Sequence, residues 1–138
     1  MSQTLLDTNV VSELIREQPD PRAVTFIASC DDAIVSAVVF HESSYGIERL
    51  RDALKRAQLE LFLEGVKHLY ASRIIDVNLQ IAELGGRLRA AATNKGWTLS
   101  QMDSLIAATA MARGARLATR NVSDFERLNI PLIDPWQD

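Results

Sequence analysis

Four carboxylates stand where chemistry could use them: Asp7 in "LLDTNV", Glu42 in "VVFHESSYG", Asp103 in "MDSLIAATA" and Asp124 in "ATRNVSDFERL". Asp7 ends an apolar run, and polar Thr8 and Asn9 follow before Val10 and Val11 resume the apolar pattern, so a buried strand gives way to a helix at an ionisable residue. Glu42 falls between Val38, Val39, Tyr45 and Gly46 on one face of a helix turning about 100° per residue. A carboxylate in an apolar stripe needs a cation, a metal or a pocket, because burying it unpaired costs on the order of several kcal/mol. Gly46, one turn later, lowers helix propensity by about 1 kcal/mol and predicts close backbone packing on that face. Three or four carboxylates gathered together repel unless protonated or bridged by cations. Oxygen donors without histidine or thiolate suit Mg²⁺ or Mn²⁺ rather than zinc. The chemistry this implies is metal-assisted phosphoryl transfer.

Each acid also has a plainer account. Asp7 or Asn9 can cap the following helix, since short polar side chains satisfy the free amides of a helix start. Ser100 and Asp103 have the spacing of a capping box, and so do Ser123 and Glu126, with Asp124 in the first turn where the helix dipole favours it. Glu42 could be an ordinary surface glutamate. These accounts explain the acids singly and leave their shared placement unexplained. Asp7 and Asp124 follow strands, Asp103 opens an apolar helix, and Glu42 lies early in the helix after another strand. A parallel α/β fold brings such positions to the carboxyl edge of one sheet, where ligands bind.

The elements that must do this positioning are legible. Strands are expected at Thr4 to Leu6, Ala33 to Ser36, Arg73 to Ile75 and Arg116 to Thr119, with a last extended piece near Leu132 and Ile133. Most are apolar on both faces, as parallel strands covered by helices should be. Pro21 suits the first turn of a helix running to about Ser29, and Ala37 to Leu69 is long enough for two helices. Ile81, Leu84, Leu88, Ala91 and Ala92 recur at helical spacing, as do Met102, Leu105, Ile106, Thr109 and Ala112, and Gly96 and Gly114 supply the stops. The expectation is a single three-layer α/β domain over residues 1–138, with a central, mainly parallel sheet flanked by helices.

Composition bounds the class. With 138 residues and 47% of them hydrophobic, the chain can build one real core. Its longest apolar runs fall far short of the roughly 20 residues that span a bilayer. No basic, apolar and small-residue leader opens it, and Cys30 is the only cysteine. A soluble, cytoplasmic protein without disulfides or membrane contact is therefore expected. No zinc motif can be assembled from Cys30, His41 and His68. A net charge of −3 argues against a broad basic groove that grips nucleic acid by charge alone, but the 15 Lys and Arg residues can still form local patches and bound divalent cations would reverse the sign of an acidic pocket.

Taken together and in order, "LLDTNV", "VVFHESSYG", "MDSLIAATA" and "ATRNVSDFERL" resemble the PIN domain, and within it the VapC-type toxins of bacterial toxin–antitoxin pairs; the resemblance covers essentially the whole chain. It implies that Asp7, Glu42, Asp103 and Asp124 form a catalytic acidic metal site, with Asp7 and Asp103 the surest ligands. Asn9, Thr119 and Asn121 match polar positions that support such a site. Ser43 stands where the family often has leucine. The resemblance further implies a Mg²⁺-dependent endoribonuclease, dimerisation, inhibition by a VapB-like antitoxin, and contact with operator DNA only through that antitoxin. RNA without regular duplex structure is the expected substrate, since unpaired loops can enter a pocket that a helix cannot. Arg120 is either a phosphate contact or, more simply, a solvated strand-end charge.

Three rivals make different forecasts. A receiver-type phosphoacceptor would need an aspartate after a mid-chain strand, and Asp52 lies in the charged helical run "ERLRDALKR". A metal-dependent phosphatase would prefer phosphomonoesters to RNA. A non-catalytic interaction domain, its acids all caps, would not respond to divalent ions.

Overall fold

The computed structural model describes residues 3–137. Strands β1 (Thr4–Leu6), β2 (Ala33–Ser36), β3 (Ile74–Ile75), β4 (Arg116–Ala118) and β5 (Leu132–Ile133) form one sheet in the order β3-β2-β1-β4-β5, every neighbouring pair parallel. Helices make the crossovers that parallel pairing requires. Helices α1 (Thr8–Glu13) and α2 (Pro21–Ser29) join β1 to β2, and α3 (Ala37–Glu48) and α4 (Ala53–Leu69) lead from β2 to β3. Helices α5 (Leu79–Asn94) and α6 (Gln101–Arg113) lead to β4, and α7 (Val122–Phe125) to β5.

The chain builds outward from β1 to β3 on one side and then crosses to β4 on the other. The strand order therefore reverses between β1 and β4, and that switch point opens a crevice at the carboxyl ends of the two strands. Registry ties them closely: Leu6 lies opposite Ala118, and the Asp7 N–H donates to the Ala118 carbonyl at 2.9 Å. Leu5, Leu6, Val35, Leu117 and Ala118 have no exposed surface, which is why these strands are apolar on both faces.

Helix α6 runs through the interior, with Ile106 to Ala110 all buried. Gly85 lets α5 come near it: a Cβ added there would stand 3.1 Å from Leu105 Cδ2. Gly114 closes α6 with φ +60°, a backbone conformation costly for residues with a Cβ.

The expected elements are present, with local differences. Arg73 belongs to a single 3-10 turn (Ala71–Arg73), so β3 is shorter than expected, and β4 ends at Ala118 with Thr119 just beyond it. Helix α7 starts at Val122 and ends at Phe125, so Ser123 lies inside it and Glu126 after it; the expected Ser123–Glu126 capping box is absent. The cause is a local turn held in place by a tertiary contact, the Thr119 hydroxyl donating to Asp7. The Thr119 hydroxyl accepts the Asn121 N–H at 3.0 Å, which turns the chain earlier. Gly46 has open space where a side chain would go, so the close packing expected there does not occur.

Candidate active site

Asp7 sits at the switch point, 5% exposed, and its carboxylate is held from three directions. Oδ1 accepts the Thr8 N–H at 2.8 Å, capping α1. Oδ2 accepts the Thr119 hydroxyl at 2.8 Å and the Asn9 amide at 3.3 Å. Asn9 Oδ1 in turn accepts the Arg120 N–H at 3.1 Å, so the start of α1 and the chain leaving β4 are tied into one network. Burial pushes the Asp7 carboxyl above its ordinary range; the Thr119 and Thr8 hydrogen bonds pull it down, and the Glu42 charge adds to the rise.

Glu42 reaches the same crevice from the second turn of α3, where it is half-buried and Oε1 accepts the Thr8 hydroxyl at 2.7 Å. Val38 and Val39 beside it are buried, but Tyr45 is 61% exposed, so the apolar stripe expected around Glu42 stops within a turn. Asp103 occupies the first turn of α6, whose N-cap Ser100 accepts the Asp103 N–H at 3.1 Å. Its carboxyl is pushed up to about 6, first by burial and then by the charge of Asp7. Asp124 and Glu42 push the same way, and only the Ser100 hydrogen bond opposes them. Asp124 is exposed in the first turn of α7. The other three acids thus all act on the Asp103 carboxyl group.

Among the described residues the ion pairs are Arg16–Glu13, Arg22–Asp20 and Lys67–Glu64, none involving these four acids. The repulsion is therefore unanswered by a side-chain cation. Nor do three histidine, cysteine or carboxylate side chains among the described residues stand close enough to hold a metal ion as they are. Hard oxygen donors under mutual repulsion, with no side-chain cation paired to them among the described residues, fit a divalent ion such as Mg²⁺ or Mn²⁺.

Of the polar residues expected to help, Thr119 and Asn9 touch Asp7, while Asn121 contributes its backbone N–H to Thr119. Thr8 was not singled out by the sequence reading, though it holds both Asp7 and Glu42. Its only signal was a hydroxyl next to a candidate acid. The Arg120 guanidinium lies over the Trp136 ring, 5.1 Å from its centroid. Asp52 is the N-cap of α4, accepting the Leu54 and Lys55 N–H groups, which removes the basis for a receiver-type reading. No helix among the described residues is long and apolar enough to cross a membrane.

The family model described as "PIN domain" matches residues 4–130. The chain is 33% identical over 137 residues to Toxin FitB of Neisseria gonorrhoeae, with 97% of this chain and 99% of that protein covered. It is 32% identical over 136 residues to the VapC ribonuclease Y4jK of Sinorhizobium fredii, covering 96% and 97%. The crystal structure of FitAcB from Neisseria gonorrhoeae superposes with a TM-score of 0.87 at 32% identity, over 97% of this chain and 99% of that one.

Proposed function

Because this chain belongs to the PIN-domain family, among the VapC-type toxins, we propose that it is a Mg²⁺-dependent endoribonuclease, with Mn²⁺ able to substitute, and the cytoplasmic toxin of a VapBC-type toxin–antitoxin pair. The observation that carries the reading is the crevice where Thr8 joins Asp7 and Glu42 and where the Asp103 carboxyl takes the charge of Asp7, Asp124 and Glu42 together, with no side-chain cation among the described residues paired to any of them.

Asp7, Glu42, Asp103 and Asp124 would hold the ion or ions, with Asp7 and Asp103 as the inner ligands. A bound divalent cation supplies a nucleophilic water at neutral pH and neutralises charge on the scissile phosphate and the departing oxygen. The protein's own groups prepare the place. Thr119, Asn9 and the Thr8 N–H fix both oxygens of Asp7, so its orientation costs nothing further when the ligand arrives. Asp7 is buried while exposed Asp124 leaves that side of the crevice open, which suits an unpaired RNA strand.

A VapB-like antitoxin is the proposed inhibitor, with operator DNA reached through it and a homodimer as the toxin's own assembly. Support comes from the similar complexes, among them a DNA-bound VapBC from Salmonella typhimurium at 27% identity and TM-score 0.77. An inhibitor entering an acidic crevice should offer Arg or Lys, and Arg matches carboxylates with two hydrogen bonds.

Purified wild type should cleave single-stranded RNA with Mg²⁺ or Mn²⁺ and stop in EDTA. Asp7→Asn and Asp103→Asn should remain folded and lose about a hundredfold or more, the scale of removing one group that stabilises developing charge. Near-normal cleavage by either variant would remove the site assignment. Faster turnover of phosphomonoesters than RNA would favour the phosphatase.

A further inference from the structure

We propose that Thr8 is a positioning residue for the metal site, setting the Glu42 carboxylate from across the crevice by donating its hydroxyl proton to Oε1. The inference rests on the metal-dependent reading of the four acids and adds to it a residue outside the acidic set.

Glu42 approaches from α3 on a side chain with three rotatable bonds, and its carboxylate needs a fixed partner to hold one position. A free glutamate gives up much of its rotamer freedom when held in one place. Thr8 bears that restraint instead. It is β-branched, half-buried and the first residue of α1, so its own side chain has little freedom. Its hydroxyl meets Glu42 Oε1 at 2.7 Å, a short hydrogen bond to a carboxyl oxygen.

The same residue's N–H meets Asp7 Oδ1 at 2.8 Å. One threonine thus fixes two acids that repel each other and that belong to different elements, Asp7 at the end of β1 and Glu42 on α3. With Oε1 taken by the hydroxyl, Oε2 of Glu42 has no protein partner among the described residues and is the oxygen available to a cation. The N–H role survives any substitution except proline. The hydroxyl role does not.

The test measures Mn²⁺ binding through the paramagnetic resonance signal of the free ion, alongside thermal melts without metal, for Thr8→Val, Thr8→Ser and Glu42→Ala and for Thr8→Val combined with Glu42→Ala. Thr8→Val keeps the shape and removes the donor, so it should weaken Mn²⁺ binding by about tenfold, as loss of a hydrogen bond to a ligating carboxylate does. Thr8→Ser should bind within about twofold of wild type, because the donor is restored. With Glu42 already alanine, adding Thr8→Val should cost nothing more, the mark of one residue acting through another. Where Thr8→Val fails to fold, Thr8→Ala makes the same comparison. A Thr8→Val protein that binds Mn²⁺ as wild type does, or that loses the same factor in the Glu42→Ala background, overturns the proposal and leaves the metal site standing. A wild type that binds no Mn²⁺ overturns both.

Discussion

At the scale of single residues, capping a helix and serving a site prove compatible. Asp7 caps α1 with Oδ1 and turns Oδ2 to Thr119 and Asn9, so the plain account and the functional one describe different oxygens of the same group. Asp103 opens α6 through its backbone N–H while its carboxyl carries the charge of three other acids. That burden has a pH signature. The Asp103 carboxyl titrates at about 6 in the folded protein against an ordinary 3.8. Between those values the folded state binds more proton than the unfolded one, so acidifying through this window adds stability and raising the pH through it withdraws it. Asp7, also raised, acts in the same direction. Metal-free wild type should therefore gain thermal stability relative to Asp103→Asn as the pH falls from about 7 to about 5, and saturating Mn²⁺ should remove the difference. Parallel melting curves for the two proteins across that range would show that Asp103 is not under this strain.

At the scale of elements, helix starts do much of the positioning, and they differ in how far the sequence reveals them. Ser100 and Asp103 are legible as a capping box because both partners are local, and Ser100 is the N-cap of α6. Ser100→Ala should cost about 1 kcal/mol, a drop of a few degrees in melting temperature for a domain of this size. It should also weaken Mn²⁺ binding, since Asp103 loses its one favourable hydrogen bond, and Ser100→Thr should restore both. An unchanged melt with Ser100→Ala would mean the cap contributes nothing. Ser123 and Glu126 have a similar local pattern and no such role. There a hydroxyl from Thr119, itself held by Asp7 from the far end of the chain, decides where the turn begins. Gly46 misleads for a related reason: its low helix propensity is real, but what stands against that face of α3 is set by other elements, and the space is open.

At the scale of the molecule, helix α4 keeps Leu63 and Val66 buried yet leaves Leu54, Leu61, Phe62 and Leu69 exposed along another side. An apolar stripe of this kind is where a second chain is expected. Leu61→Glu should leave the melting temperature and Mn²⁺ binding near wild type, because the residue is 75% exposed, while weakening self-association or antitoxin binding by about tenfold or more. Sedimentation and co-purification would read this out, and intact assembly would move the interface elsewhere. The sequence by itself determined the alternation of apolar strands and helices, hence a parallel sheet and a carboxyl edge at which Asp7, Glu42, Asp103 and Asp124 stand, because periodicity and end signals are local properties of the chain. Only the tertiary structure decided that β4 rather than β2 faces β1 across the switch point, that Thr119 and Asp7, 112 residues apart, share a hydrogen bond, and that Thr8 spans the crevice to Glu42. Those pairings follow from how the chain crosses over and from which groups burial forces to find partners, and neither is written in the spacing of residues along it.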